Sequence, residues 1–242
     1  MAKKISLKDR LAFAVDVPSS EAPALVAKLA GKVGWMKFNS AFIGQGKAII
    51  DQAWKAGTKT FFDPKWKDIP NTLENYVKEL VDMQGARMFN VHADGGRKMM
   101  TKVAETIHNL FPDENCPLVI AVTVLTSFDQ AEFTEAGYAG TIPEQVLRLA
   151  KLAKDCGCDG VVASPQEAAM LKREVGDDFL VVTPGIRFEE EATDDQARLA
   201  TPKAAIIAGS DILVMGRSLI KGGEAAVRRA YQEIETGLAN RK

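Results

Sequence analysis

Residues 61–72 read FFDPKWKDIPNT. The stretch ends an apolar run that begins at Thr58, then sets Asp63, Lys65, Lys67 and Asp68 within six residues. Pro70 and Asn71 follow and turn the chain into the next helix, where a fixed φ suits the first turn. An apolar strand, charges at its end and a helix directly after make one βα unit.

The same unit recurs on both sides. Runs rich in Val, Ile and Phe start at Leu11 (LAFAVDV), Trp35 (WMKFN), Thr58 (TKTFFDPK) and Ala86 (ARMFNVHA). Further runs start at Pro117 (PLVIAVTVL), Gly160 (GVVAS), Phe179 (FLVVTPGI) and Asp211 (DILVMGR). Near-continuous apolar character argues for strands covered on both faces, as a parallel sheet requires. Helical spacing fills the gaps, as in Leu25, Val26 and Leu29, and in Val146, Leu147, Leu149, Ala150 and Ala153. Gly31, Gly57, Gly85, Gly157 and Gly209 stand where helices should close. Eight strands and about eight helices in 242 residues predict an α/β fold, a (β/α)8 TIM barrel. An open doubly wound sheet is the alternative, but no G-x-G-x-x-G follows the first strand. No Pro/Ser-rich linker divides the chain, so one domain over residues 1–242 is expected, without a fused second enzyme.

A net charge of −1 offers no global field for nucleic acid or an anionic membrane. No apolar run reaches the roughly 20 residues a membrane span needs, and LAFAVDV is too short for a signal peptide. Cys116, Cys156 and Cys158 complete neither a disulfide framework nor a zinc pattern. A cytoplasmic protein with reduced cysteines and no nucleic-acid or membrane partner is expected.

In this barrel chemistry sits at the C-terminal ends of the strands. Asp16, Lys37, Asp63, Lys65, His92, Thr123, Thr126 and Arg217 fall there. The two-residue period of a strand points Asp63 and Lys65 to the same mouth, and Lys37 on the neighbouring strand can join them. Spacing alone leaves two readings open, a structural ion pair and a catalytic one. Lys55, Lys59 and Lys67 read as solvated surface charges, His92 as a hydrogen-bonded structural residue and His108 as peripheral. Glu189 to Asp195 (EEEATDD) reads as a solvated lid and not a metal site.

The wider pattern resembles one family. Asp63 to Thr72 is similar to the D-x-K-x-x-D-I-P-x-T signature of the orotidine 5′-phosphate decarboxylases. FAVD at Asp16, MKFN at Lys37, NVHADGG, LVIAVTVLTS, DGVVASPQEA, VTPGIR, DDQARLATP and VMGRSL resemble the rest of that family in order. The resemblance implies a homodimeric lyase that converts orotidine 5′-monophosphate to uridine 5′-monophosphate, with no cofactor and no metal. It implies that Lys65 protonates pyrimidine C6, that Asp63 lies beside the substrate carboxylate, and that Lys37 touches the ribose and holds Asp63. It brings Asp68 and Thr72 from the other subunit, Asp68 to complete an alternating Lys37–Asp63–Lys65–Asp68 charge array and Thr72, with Asp16, to bind the ribose hydroxyls. Thr126 and Ser127 would meet the pyrimidine edge. Arg187, Gln196, Gly216 and Arg217 would hold the phosphate, with residues 184–196 closing over it. Pro64, Lys67 and the Phe38-Asn39 pair depart from common forms at variable positions, and Pro64 predicts a bulge in a buried strand. Two rivals remain. One is a related sugar-phosphate decarboxylase or aldolase barrel, which uses magnesium and an acidic residue where this chain has Lys37. The other is a barrel that only binds nucleotides or a partner protein.

Overall fold

A computed structural model describes residues 5–112, 115–191 and 200–241 of the chain. Eight parallel strands close on themselves in sequence order: β1 (Leu11–Ala14), β2 (Trp35–Phe38), β3 (Lys59–Trp66), β4 (Ala86–His92), β5 (Leu118–Val122), β6 (Gly160–Val162), β7 (Leu180–Thr183) and β8 (Ile212–Met215). Each of the eight apolar runs holds one strand. The (β/α)8 barrel is therefore the fold, and the open sheet is excluded by the β1–β8 pairing of Leu11 with Leu213 and Phe13 with Met215.

Ten α-helices are present among the described residues: α1 (Ala22–Leu29), α2 (Ser40–Gln45), α3 (Lys47–Lys55), α4 (Pro70–Glu79), α5 (Arg97–Leu110), α6 (Gln130–Glu135), α7 (Ile142–Asp155), α8 (Pro165–Val175), α9 (Pro202–Ala208) and α10 (Arg217–Asn240). The surplus over eight comes from α2 and α6, six-residue helices beside the mouth that carry weak periodic signal. Pro70 is the first residue of α4, as the opening stretch predicts. Gly31, Gly57, Gly157 and Gly209 take positive φ just past helix ends, which glycine alone adopts without strain. Gly85 does not. A Cβ there would lie 2.9 Å from both Ile50 and Trp54 side chains, so it serves close packing of α3 against the start of β4.

Alternate strand residues point inward. Ala12, Trp35, Phe61, Met88, Ile120, Leu180, Ile212 and Val214 fill the barrel interior. The intervening residues, such as Phe13, Met36 and Phe89, pack outward beneath the helices. This follows from the strand period. The filling is tight at Gly160, where a Cβ would approach the Leu180 carbonyl oxygen to 2.4 Å. Gly160→Ala is expected to destabilise the barrel by about 1–3 kcal/mol, measured as a lower urea midpoint at unchanged slope.

The base of the barrel is tied by charge. Asp211, at the start of β8, accepts from the Val181 amide at 2.9 Å and faces Lys172 at 2.5 Å, Arg241 at 3.6 Å and Arg10 at 4.0 Å. Residues at that end hold the scaffold, leaving the opposite end for the site. No helix among the described residues is long and apolar enough to cross a membrane.

Candidate active site

A cavity of about 470 Å³ opens at the C-terminal ends of the strands. Asp16, Lys37, Asp63, Lys65, Asn90, Thr126, Arg187, Gly216 and Arg217 all line it. Inward alternation along β2, β3 and β4 places Lys37, Asp63 and Asn90 one step above Trp35, Phe61 and Met88 of the interior. The polar floor is thus the last layer of the core.

Four charges alternate across it. Lys37 Nζ donates to Asp16 Oδ1 at 3.2 Å and to Asp63 Oδ2 at 2.9 Å. Lys65 Nζ donates to Asp63 Oδ1 at 2.7 Å. The middle is buried and the ends are open: side-chain exposure is 9% for Lys37 and 5% for Asp63, against 50% for Asp16 and 39% for Lys65. Burying a charge is costly unless neighbours compensate it. Here they do. Burial alone would push the Asp63 carboxyl up, yet Lys37 and Lys65 hold it below the usual carboxylate range. Burial alone would pull Lys37 down, yet Asp63 and Asp16 raise it above the ordinary lysine value. Lys37 and Asp63 therefore stay charged at neutral pH.

The Lys65 backbone is unusual. It has φ +50°, the one positive value at a non-glycine residue among the described residues. Such a conformation costs about 1–2 kcal/mol for a side chain with a Cβ. Its origin lies in β3. Phe62 pairs with Phe89 but Trp66 with Val91, so β3 takes four steps while β4 takes two. This is the irregularity that Pro64 predicts. Two-residue alternation brings Lys65 to the mouth on paper, whereas the bulge and the left-handed turn bring it there in the fold. The Lys65 amide donates to Asn90 Oδ1 at 2.8 Å, and Asn90 Nδ2 donates to Asp63 Oδ1 at 2.6 Å. Asn90 is absent from the residues that the sequence points to. The signal available for it was an amide on the inward face of an otherwise apolar strand.

The remaining expectations divide. Arg187 is buried at 7% exposure, while Arg217 is exposed at the start of α10. Gly216 precedes that helix, whose first amides have no acceptor within the helix. Ser127 is exposed and outside the cavity lining. Asp68 is exposed too; its carboxylate caps the Ile69 amide at 2.7 Å and does not reach the cavity of its own chain. Thr72, in the first turn of α4, also lies away from it. Gln196, with the rest of residues 192–199, falls outside the described residues. Thr123 points back into the wall, donating to the Val162 carbonyl at 2.8 Å.

The surroundings correct smaller points. Lys67 is not merely solvated: Asp94 accepts from Lys67 Nζ at 2.8 Å and from the Tyr138 hydroxyl at 2.9 Å. Lys59 pairs with Asp9 at 2.6 Å and lies 4.4 Å from the Trp35 ring centroid. His92 Nδ1 lies 3.7 Å from Asp94 Oδ1, too far for a hydrogen bond, and burial pulls its pKa down. In the acidic stretch Glu190 pairs with Arg229, and Glu191 accepts from the Ser218 hydroxyl. None of the three cysteines is in a disulfide among the described residues, and burial pushes the Cys158 thiol up to about 12.

Comparison with known proteins places the chain in a family. The model of the orotidine 5′-phosphate decarboxylase / HUMPS family matches residues 9–232. An orotidine 5′-phosphate decarboxylase of Chromobacterium violaceum is 46% identical over 199 residues, 81% of this chain and 79% of that protein. Another, of Syntrophotalea carbinolica, is 40% identical over 240 residues, 97% of this chain and 98% of that protein. The crystal structure of orotidine 5′-phosphate decarboxylase from Lactobacillus acidophilus superposes with a TM-score of 0.80 at 33% identity, covering 93% of this chain and 99% of that one. With a family match across nearly the whole barrel and these relatives beside it, the chain belongs to the orotidine 5′-phosphate decarboxylase / HUMPS family of enzymes.

Proposed function

We propose that this single-domain barrel decarboxylates orotidine 5′-monophosphate to uridine 5′-monophosphate without a cofactor, with Lys65 as the proton donor. The observation that carries the reading is the alternating run Asp16–Lys37–Asp63–Lys65 along the wall of a nucleotide-sized cavity. Loss of carbon dioxide from C6 leaves an electron pair in the plane of the ring, where the ring cannot delocalise it. Fixed positive charge at that point lowers the barrier, and the Lys65 ammonium is both that charge and the acid that quenches the carbanion. Asp63 is held ionised beside it and lies where the leaving carboxylate would meet a like charge. Asp63 accepts from Lys37, Lys65 and Asn90, and Lys37 stands where a magnesium-dependent relative would carry an acidic residue.

The phosphate belongs at the other end of the cavity, with Arg187, Arg217, the amides after Gly216 and Gln196. Thr126 and Ser127 belong to the pyrimidine edge and Asp16 to the ribose. Asp68 and Thr72 complete the site of a second copy in a homodimer, which accords with their position outside their own cavity. We place the enzyme in the cytoplasm, where nucleotide substrates are made.

The direct test is the ultraviolet change as orotidine 5′-monophosphate is consumed, with EDTA present. Steady turnover under EDTA supports the reading. Turnover that needs magnesium favours the sugar-phosphate relatives, and binding without turnover favours a nucleotide-binding barrel. Arg217→Ala sharpens the assignment. A charge-assisted contact contributes about 1.5–3 kcal/mol, so kcat/KM for the nucleotide should fall roughly 10- to 150-fold. The slow reaction of orotidine, which lacks the phosphate, should barely change. Equal losses on both substrates would give Arg217 a structural role.

A further inference from the structure

We propose that Asn90 is the positioning residue of the charge array: its amide holds the Lys65 backbone in the left-handed region and aims Asp63 at the Lys65 ammonium. The proposal rests on the decarboxylase reading above and deepens it.

The chemistry of its neighbours fixes which way the amide faces. Asn90 is 1% exposed, so both ends of its side chain need partners within the protein. The Lys65 N–H can only donate, so the carbonyl end must face it, at 2.8 Å. An ionised Asp63 carboxylate can only accept, so the NH₂ end must face it, at 2.6 Å. A flipped amide would oppose donor to donor and oxygen to carboxylate. One orientation satisfies both contacts, and it couples the two residues that carry the proposed chemistry.

Lys65 needs this support because the sheet withholds it. Between Phe62 and Trp66 the strand leaves register with β4, and Pro64 has no N–H to offer. The Asn90 side chain accepts the amide hydrogen that a regular ladder would have engaged. The second contact acts on Asp63. Asp63 Oδ1 receives both Asn90 and Lys65, while Oδ2 receives Lys37. The carboxylate plane is thereby pinned at three points. Without Asn90 it can turn about its terminal bond and draw the Lys65 ammonium with it. The charged groups around Asn90 are Asp63 and Lys65 from β3, Lys37 from β2 through Asp63, and His92 two residues on along β4. From β5 the residue opposite is apolar Ile120.

The test uses Asn90→Ala and the near-isosteric Asn90→Asp in the full-length enzyme. Asn90→Ala should lower kcat on orotidine 5′-monophosphate about 10²-fold, since small misplacements of reacting groups cost that much, with KM within a few-fold of wild type. Asn90→Asp should behave differently with pH. The neutral carboxyl introduced at position 90 can donate to Asp63 and accept from Lys65, so it mimics the amide. Burial and the Asp63 charge raise its pKa. Turnover of Asn90→Asp should therefore approach wild type at low pH and fall as pH rises through that pKa, where the wild-type profile stays flat. A residue that only fills space would lower thermal stability and leave the pH profile unchanged. A crystal structure of either variant supplies a readout independent of activity: Lys65 should leave φ near +50° in Asn90→Ala and keep it in Asn90→Asp at low pH. If the wild-type chain does not release carbon dioxide, the functional reading fails, and the Lys65 backbone still decides the positioning claim. An Asn90→Ala enzyme with wild-type kcat, or one whose Lys65 backbone and Asp63 contact are unchanged, overturns it.

Discussion

Lys65→Ala is expected to reduce turnover by roughly 10⁴-fold or more while the protein stays folded. The size follows from two losses at one atom. Nζ is the positive charge nearest the point where the carbanion develops, and it is the acid that ends the reaction. Removing a preorganised charge costs about 10²–10³-fold, and removing a general acid about 10²–10⁴-fold. The fold survives because Asp63 keeps two of its three donors, Lys37 at 2.9 Å and Asn90 at 2.6 Å. Lys65 is itself 39% exposed, so its ion pair contributes at most about 1 kcal/mol to stability. The measurements are single-turnover release of labelled carbon dioxide and a thermal melt on the same sample. Turnover within tenfold of wild type would remove Lys65 from the mechanism. Collapse of the fold would instead make Lys65 part of the scaffold.

The second large effect concerns two chains at once. Asp68 caps its own Ile69 amide and does not line its own cavity, so its proposed role requires a neighbour. In a two-fold dimer each subunit gives the other the same residue. Lys65→Ala and Asp68→Ala proteins should then each be nearly inactive. In a mixed dimer one site carries both defects and the other carries neither. Unfolding and refolding an equimolar mixture should restore roughly a quarter of wild-type sites if subunits pair at random. Recovered activity must scale with the heterodimer fraction measured by native mass spectrometry. Mixed dimers without recovery would return Asp68 to its own subunit. The exposed apolar side chain next to Asp68, Ile69 at 66%, is the natural place to probe the interface by substitution.

Local sequence determined the barrel. Eight apolar runs separated by periodic helical segments can be buried on both faces only if helices cover a parallel sheet, and β1 through β8 lie where those runs lie. Lys37, Asp63 and Asp16 were legible for the same reason: each follows the buried apolar residues of a strand, and charges so placed must meet partners. Short helices were not legible. Six residues of α2 or α6 are too few to show a period, and docking beside the mouth stabilises them. The reason for Gly85 was also hidden, because the Ile50 and Trp54 side chains that exclude a Cβ come from a distant helix. Tertiary structure alone decided how Lys65 reaches the site. A regular strand would have delivered it by alternation, but Pro64 breaks the ladder and leaves the Lys65 amide without a strand partner. Asn90, 25 residues further on, supplies the acceptor from the next strand. Pro64 marks the break in local sequence, but the contact that holds Lys65 in the left-handed region comes from another element and exists only after the barrel has closed.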